Sequence, residues 1–221
     1  MEIGHLNFVD LKDSTKRKLR SQFGDRSNSL ANNLPLESPY VIYVEASTLC
    51  NLECKFCPQH LSPDLMNKEH ASEQTFEKLL VGLKSLKKRP KIIRFCGTGE
   101  SLLNKKFPLY AKQIIDSGVA ERYELISNGM LLGHSRNLVL AGLLDRVIVS
   151  VNGLSPADYM DATLTKVNVE ALVDGIRRFR DQPNRRALIH LKVHNNVVPT
   201  ISKFMEFLEI FEDLADEIYV E

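Results

Sequence analysis

Cys50, Cys54 and Cys57 put three thiols into eight consecutive positions of a 221-residue chain that holds only four cysteines. Thiolates bind soft and borderline metals, so this C-x3-C-x2-C spacing admits a zinc ion or an iron–sulfur cluster. With His60 the loop offers a Cys3His set for a zinc tetrahedron. Structural zinc, however, commonly draws two separated ligand pairs together in a small fold. Here all four ligands would come from one short loop in a chain large enough to fold without a metal. A cubane takes three thiolates around its perimeter and leaves the fourth iron open, which a loop with unequal steps can supply. The residues alone favour the cluster and leave zinc open.

The fourth cysteine, Cys96, precedes a second unusual stretch, "GTGES" from Gly97 to Ser101. Glycines let backbone groups approach a ligand closely, and Glu100 adds a carboxylate suited to an ammonium group. Residue 102 is Leu where a dinucleotide-binding fingerprint needs Gly, and no Walker lysine and serine pair follows. A plain strand-to-helix turn is the competing reading. Cys96 itself reads most simply as a buried strand cysteine.

Six short β-branched or apolar runs are expected to carry these residues. They begin at Tyr40, Lys91, Arg122, Arg146 and Ala187, and the last, "EIYVE", ends at Glu221. Several are apolar on consecutive positions, as in parallel strands covered on both faces. Helical stripes alternate with them: Phe76, Leu79, Leu80, Leu83 and Leu86 behind a Ser72 cap; Leu172, Val173, Ile176 and Phe179; and Ile201, Phe204, Met205, Leu208 and Phe211. "FPLYAKQIIDSG" and "SRNLVLAGLL" read as shorter helices. This β–α alternation predicts a parallel sheet with right-handed crossovers, open or barrelled. Residues 1–38 read as an N-terminal extension, with a short helix in "LKDSTKRKLRSQF" and a linker in "GDRSNSLANNLPLESP"; residues 39–221 form the core. Because the sixth strand ends the chain with no helix to cover it, a further segment beyond Glu221 is expected.

Ligands of parallel α/β folds bind at the carboxyl ends of the strands. The cysteine loop follows the first strand and "CGTGES" the second. "SNG" follows the third, while "SVNG" and "VHNN" end the fourth and fifth. Core packing alone would not gather polar and liganding residues at one rim. The net charge of +1 gives no global field drawing the chain to nucleic acid or acidic membranes. No stretch approaches the roughly 18 apolar residues of a membrane span, and the first thirty residues lack a secretory signal. A reducing cytoplasmic compartment is therefore expected, where clustered thiols bind metals rather than pair as disulfides.

The cysteine loop with an aromatic before its third cysteine, together with "GTGESLLN", "SNG" and "SVNG" at successive strand ends, resembles the radical S-adenosylmethionine (SAM) enzymes. The resemblance runs from about Tyr40 to the end of the chain. It implies a partial, open (β/α)6 TIM-like barrel and a [4Fe–4S] cluster on Cys50, Cys54 and Cys57, whose open iron is chelated by SAM. It further implies that Gly97, Thr98, Gly99 and Glu100 receive the methionyl amino group and that Ser127 and Asn128 lie in the cofactor site. Ser150 and Asn152 would meet the carboxylate or ribose, and Phe56 and Val193 the adenine.

The implied chemistry is reductive cleavage of SAM to a 5′-deoxyadenosyl radical, which abstracts hydrogen from a peptide or small-molecule substrate. An external donor such as flavodoxin or ferredoxin would supply the electron. The strand endings look most like the branch with C-terminal auxiliary-cluster (SPASM) domains. An RNA-modifying member and a non-catalytic, zinc-stabilised α/β binding module are the alternatives. The pattern also departs from the family. Ser101 stands in place of a usual proline, Thr98 of a glycine and Asn152 of a frequent aspartate, and "DYMDATL" lacks an arginine often found there. His194 could point at substrate, and His60 reads as a surface residue.

Overall fold

The computed structural model describes residues 2–3, 6–7, 11–20 and 35–221. Six strands form one sheet in chain order: β1 (Val41–Val44), β2 (Ile92–Phe95), β3 (Arg122–Ser127), β4 (Arg146–Val151), β5 (Leu188–Val193) and β6 (Glu217–Val220). Every neighbouring pair is parallel, and β1 and β6 are the two edges. This is the open six-stranded α/β sheet of a partial barrel.

The helices, in chain order, are α1 (Asp13–Lys18), α2 (Pro58–Leu61), α3 (Glu73–Lys84), α4 (Phe107–Asp116), α5 (Leu140–Leu143), α6 (Pro156–Thr163), α7 (Val169–Arg180) and α8 (Ile201–Phe211). Side-chain caps fix several of their starts, satisfying amide groups that have no partner within the helix. Ser72 accepts from Thr75 N at 3.2 Å, Asn168 from Ala171 N at 3.0 Å and Thr200 from Lys203 N at 3.2 Å.

Three helix expectations change. α3 ends at Lys84, so Leu86 lies beyond its stripe. On α8, Ile201 and Met205 are exposed while Phe207 joins Phe204, Leu208 and Phe211 in the core. "SRNLVLAGLL" becomes a 3-10 turn at Ser135–Asn137 and the single turn of α5. α6 was not expected, although Ser155 as cap and Pro156 at the first position signal it.

The strands also differ from the two-sided apolar pattern. The helix-facing side is mostly apolar, as with Val147, Val149, Ile189, Leu191 and Val193, all 0% exposed. The other side, the barrel lumen, carries charged and polar residues, because an open barrel admits water there. The edge strand β6 is covered by residues from the start of the chain. Leu19, itself buried, bridges Ile218 in parallel, and Arg20 N donates to the Ile218 carbonyl at 2.9 Å. The last three positions of the expected N-terminal helix, 21–23, and positions 24–34 of the expected linker lie outside the described residues.

Candidate active site

The cysteine loop is tied down by the carboxyl ends of the next three strands. Beyond β2, Glu100 N donates to the Leu49 carbonyl at 2.8 Å. Beyond β3, Asn128 Nδ2 donates to Asn51 Oδ1 at 2.7 Å. Beyond β4, the last turn of α6 offers its carbonyls: Thr163 accepts from Glu53 N at 3.0 Å and Ala162 from Lys55 N at 3.1 Å. Lys55 also pairs with Asp161 at 2.7 Å. The "DYMDATL" segment thus supplies no arginine but does clamp the loop. Leu52, 6% exposed, anchors it in the core. A turn closed by Cys57 N donating to the Cys54 carbonyl at 2.9 Å sets Cys57 just ahead of α2.

All three loop cysteines are free thiols and half-buried. Burial pushes the Cys54 thiol up to about 11, and the neighbouring Cys50 and Cys57 add to the effect. Burial likewise raises Cys50. Without metal these groups hold their protons, so metal binding must release them.

Glu100 is 3% exposed, and its carboxylate accepts from Ser127 Oγ at 3.1 Å, Asn128 N at 2.8 Å and Leu102 N at 3.0 Å. Burial raises its pKa against the pull of these donors. Glu100 therefore braces the end of β2 to the end of β3. A second carboxylate, Glu45 at the end of β1, was not singled out in the sequence. Its Oε1 accepts from Thr98 N, from Thr98 Oγ1 at 2.8 Å and from Gly99 N at 3.1 Å. Gly99 is sterically required, since a Cβ there would strike the Ser47 carbonyl, whereas one on Gly97 would displace the Glu45 carboxylate.

These ties enclose a cavity of about 300 Å³ at the carboxyl rim. Cys50, Cys54, Cys57 and Phe56 line it from the first loop, and Gly97, Thr98, Gly99 and Glu100 from the second. Ser127 and Asn128 line it from β3, and Ser150 and Asn152 from β4. Val193 does not join them. Strand alternation turns its side chain into the core, and its neighbours Lys192 and His194 line the cavity instead. Cys96 also lines it, rather than being a core cysteine. Lys192 pairs with Glu221 at 2.8 Å on the β5–β6 wall. His60 is exposed and lies outside this cavity.

Among the described residues, no three His, Cys, Asp or Glu side chains close on a single ion, although Cys50, Cys54, Cys57 and His60 all line a second cavity beside the loop. A cubane asks something different: one thiolate for each of three irons, spread around its perimeter. Three free thiols lining one cavity beside a glycine loop are a donor set of that kind.

The sequence profile of the radical SAM superfamily matches residues 44–214. The chain belongs to the radical SAM superfamily. The family implies a [4Fe–4S] cluster and SAM. The chain is 32% identical over 131 residues to proteins described as "Probable GTP 3',8-cyclase" from Methanococcus maripaludis strains C6 and C5. That stretch is 58% of this chain and 41% of each relative, so the chain spans under half the length of the curated relatives it matches.

Among solved structures, Streptococcus suis SuiB bound to precursor peptide SuiA aligns with a TM-score of 0.61 and 13% identity, over 86% of this chain and 41% of that one. Native anSMEcpe with bound AdoMet aligns at 0.58 and 16%, over 81% and 50%. BtrN in complex with AdoMet and 2-DOIA aligns at 0.51 and 20%, over 73% and 59%. These likenesses show the fold, a partial α/β barrel. No helix among the described residues is long and apolar enough to cross a membrane.

Proposed function

We propose that this chain is the catalytic core of a radical SAM enzyme acting on a peptide or small polar molecule. The observation that carries the reading is a cavity that Cys50, Cys54 and Cys57 share with the loops after β2, β3 and β4. The three cysteines would hold the cluster, which when bound supplies the electron for reductive cleavage of SAM. Gly97, Thr98 and Gly99 would receive the methionyl end, Ser150 and Asn152 the carboxylate or ribose, and Phe56 the adenine. Ser127 and Asn128 belong to the same wall, where Glu100 holds them in place. A flavodoxin or ferredoxin would deliver the electron.

The β5–β6 wall remains for the substrate. Lys192 is the only lysine or arginine lining the cavity among the described residues, and Glu221 already neutralises it. A polyphosphate substrate like that named for the archaeal relatives needs several uncompensated cations. A peptide or an amino-bearing small molecule suits this wall better. Anaerobic reconstitution tests the reading: about four irons and four sulfides per chain and 5′-deoxyadenosine formed with dithionite and SAM are expected. One zinc, no sulfide and no 5′-deoxyadenosine would overturn it.

A further inference from the structure

We infer that Glu45 is a positioning residue for SAM, acting through the Thr98–Gly99 backbone; the inference rests on the SAM site proposed above. Glu45 is not among the residues that line the cavity. It instead gathers three donors of the loop onto one carboxylate oxygen: Thr98 N, Thr98 Oγ1 and Gly99 N. Hydrogen bonds to a charged acceptor are stronger than neutral ones, and several converging on one atom leave the loop a single shape.

The sequence supports the same role. Thr98 and Ser101 replace residues that the resemblance leads one to expect as glycine and proline. Loss of the proline removes a fixed backbone angle from the loop. The Thr98 hydroxyl, absent from a glycine, supplies one of the three bonds to Glu45. Ser101 sits buried at the start of a 3-10 turn whose Leu102 N is held by the Glu100 side chain. The loop is thus stiffened from below by Glu45 and from beyond by Glu100. Gly97 completes the fit, because any side chain there would push into the Glu45 carboxylate.

The test uses the whole chain with Glu45→Ala, Glu45→Gln and Thr98→Val. SAM affinity is measured by calorimetry on anaerobically reconstituted protein, and amide exchange of residues 97–100 on the metal-free protein. Glu45→Ala should weaken SAM binding about tenfold to a hundredfold, the range for losing hydrogen bonds to a charged group. It should raise KM for SAM in reductive cleavage while leaving kcat at saturation nearly unchanged, and speed exchange at Thr98 and Gly99. Glu45→Gln, which keeps an acceptor oxygen, should recover most of the affinity. Thr98→Val should fall between, and its effect should not add to that of Glu45→Ala, because both remove the same contact.

The inference is overturned if Glu45→Ala binds SAM as tightly as the parent and the exchange of residues 97–100 is unchanged. If Glu45→Ala does not load a cluster, Thr98→Val decides: unaltered affinity and exchange there also overturn it. A parent chain that loads a cluster but binds no SAM would overturn the proposed function instead. The exchange measurement on metal-free protein would still read whether Glu45 holds the loop.

Discussion

The two ends of the barrel lumen use polar side chains in opposite ways. Near the amino ends of the strands, Arg94 pairs with Glu124 at 2.6 Å, and Arg146 lies 3.7 Å from Glu124 and 3.2 Å from Glu217. His190 and Arg20 also meet Glu217, at 3.1 and 3.0 Å. The sheet register puts Arg94, Glu124 and Arg146 side by side on three strands, so the charges alternate along one row. Almost every group in this ladder is answered within the protein; buried Arg146 Nε alone lacks an acceptor. At the carboxyl end the carboxylates hold loops, while the thiols and Phe56 face an open cavity. One end spends its polar groups on the fold, and the other keeps them for a ligand.

Substitutions should separate these ends. The largest functional effect is expected at the carboxyl rim. Replacing Cys50, Cys54 or Cys57 with Ala should abolish iron and sulfide uptake and 5′-deoxyadenosine formation, while the urea midpoint of the metal-free protein hardly moves. Metal analysis paired with equilibrium unfolding checks both halves. The ladder should behave in the reverse sense. Glu124, 1% exposed, stands between two arginines. Glu124→Ala leaves them facing each other and should cost about 3 kcal/mol or more of stability, as when one partner of a buried pair is removed. A Glu124→Ala protein as stable as the parent would erase the distinction between the two ends.

Acid should weaken the ladder end first. Burial alone would raise the Glu217 pKa, but His190, Arg146 and Arg20 outweigh it and hold the carboxyl below its ordinary value. His190 also sits below its ordinary value, chiefly because burial disfavours its charged form, with Glu217 opposing. Both folded pKa values are depressed, so both contributions are present at high pH and decline as pH falls. The His190 contribution declines below about pH 6.5 and that of Glu217 below about pH 4.5. Urea unfolding from pH 8 to pH 4 should therefore show falling stability, with a steeper fall below about pH 6.5 in Glu217→Gln, which removes the charge that opposes the depression of His190. The three cysteine variants should follow the parent profile.

The sequence made the carboxyl rim far more legible than the ladder. Thiol spacing, paired glycines and strand-ending Ser-Asn pairs are local signals, readable without knowing what packs where. Arg94, Glu124, Arg146 and Glu217 are separated by long stretches of chain and look like ordinary surface charges in β-rich runs. Only the register turns the first three into one row, and only the Arg146 side chain reaches across to Glu217. Glu45 is hidden for the same reason, since its partners Thr98 and Gly99 become neighbours only when β1 and β2 pair. Val193 was misplaced because strand alternation decides which of three consecutive residues meets the cavity. The cover on β6 was illegible because Leu19 and Ile218 come from opposite ends of the chain.

The smallest expected effect is also the sharpest on the comparison. Phe56 is a large aromatic that stands 65% exposed at the edge of the cavity. Its removal takes little from the fold, so Phe56→Ala should shift metal-free stability by no more than about 0.5 kcal/mol, the range for exposed sites. If the ring stacks on a bound adenine, its loss should weaken SAM binding by roughly threefold to tenfold, in keeping with one aromatic contact. Phe56→Tyr, which retains the ring face, should restore the affinity. Calorimetry beside urea unfolding gives both numbers from the same preparation. Lost stability with unchanged SAM affinity would make Phe56 a structural residue like those of the ladder. Unchanged stability with weakened binding would place it with the thiols, among the groups held ready for a ligand.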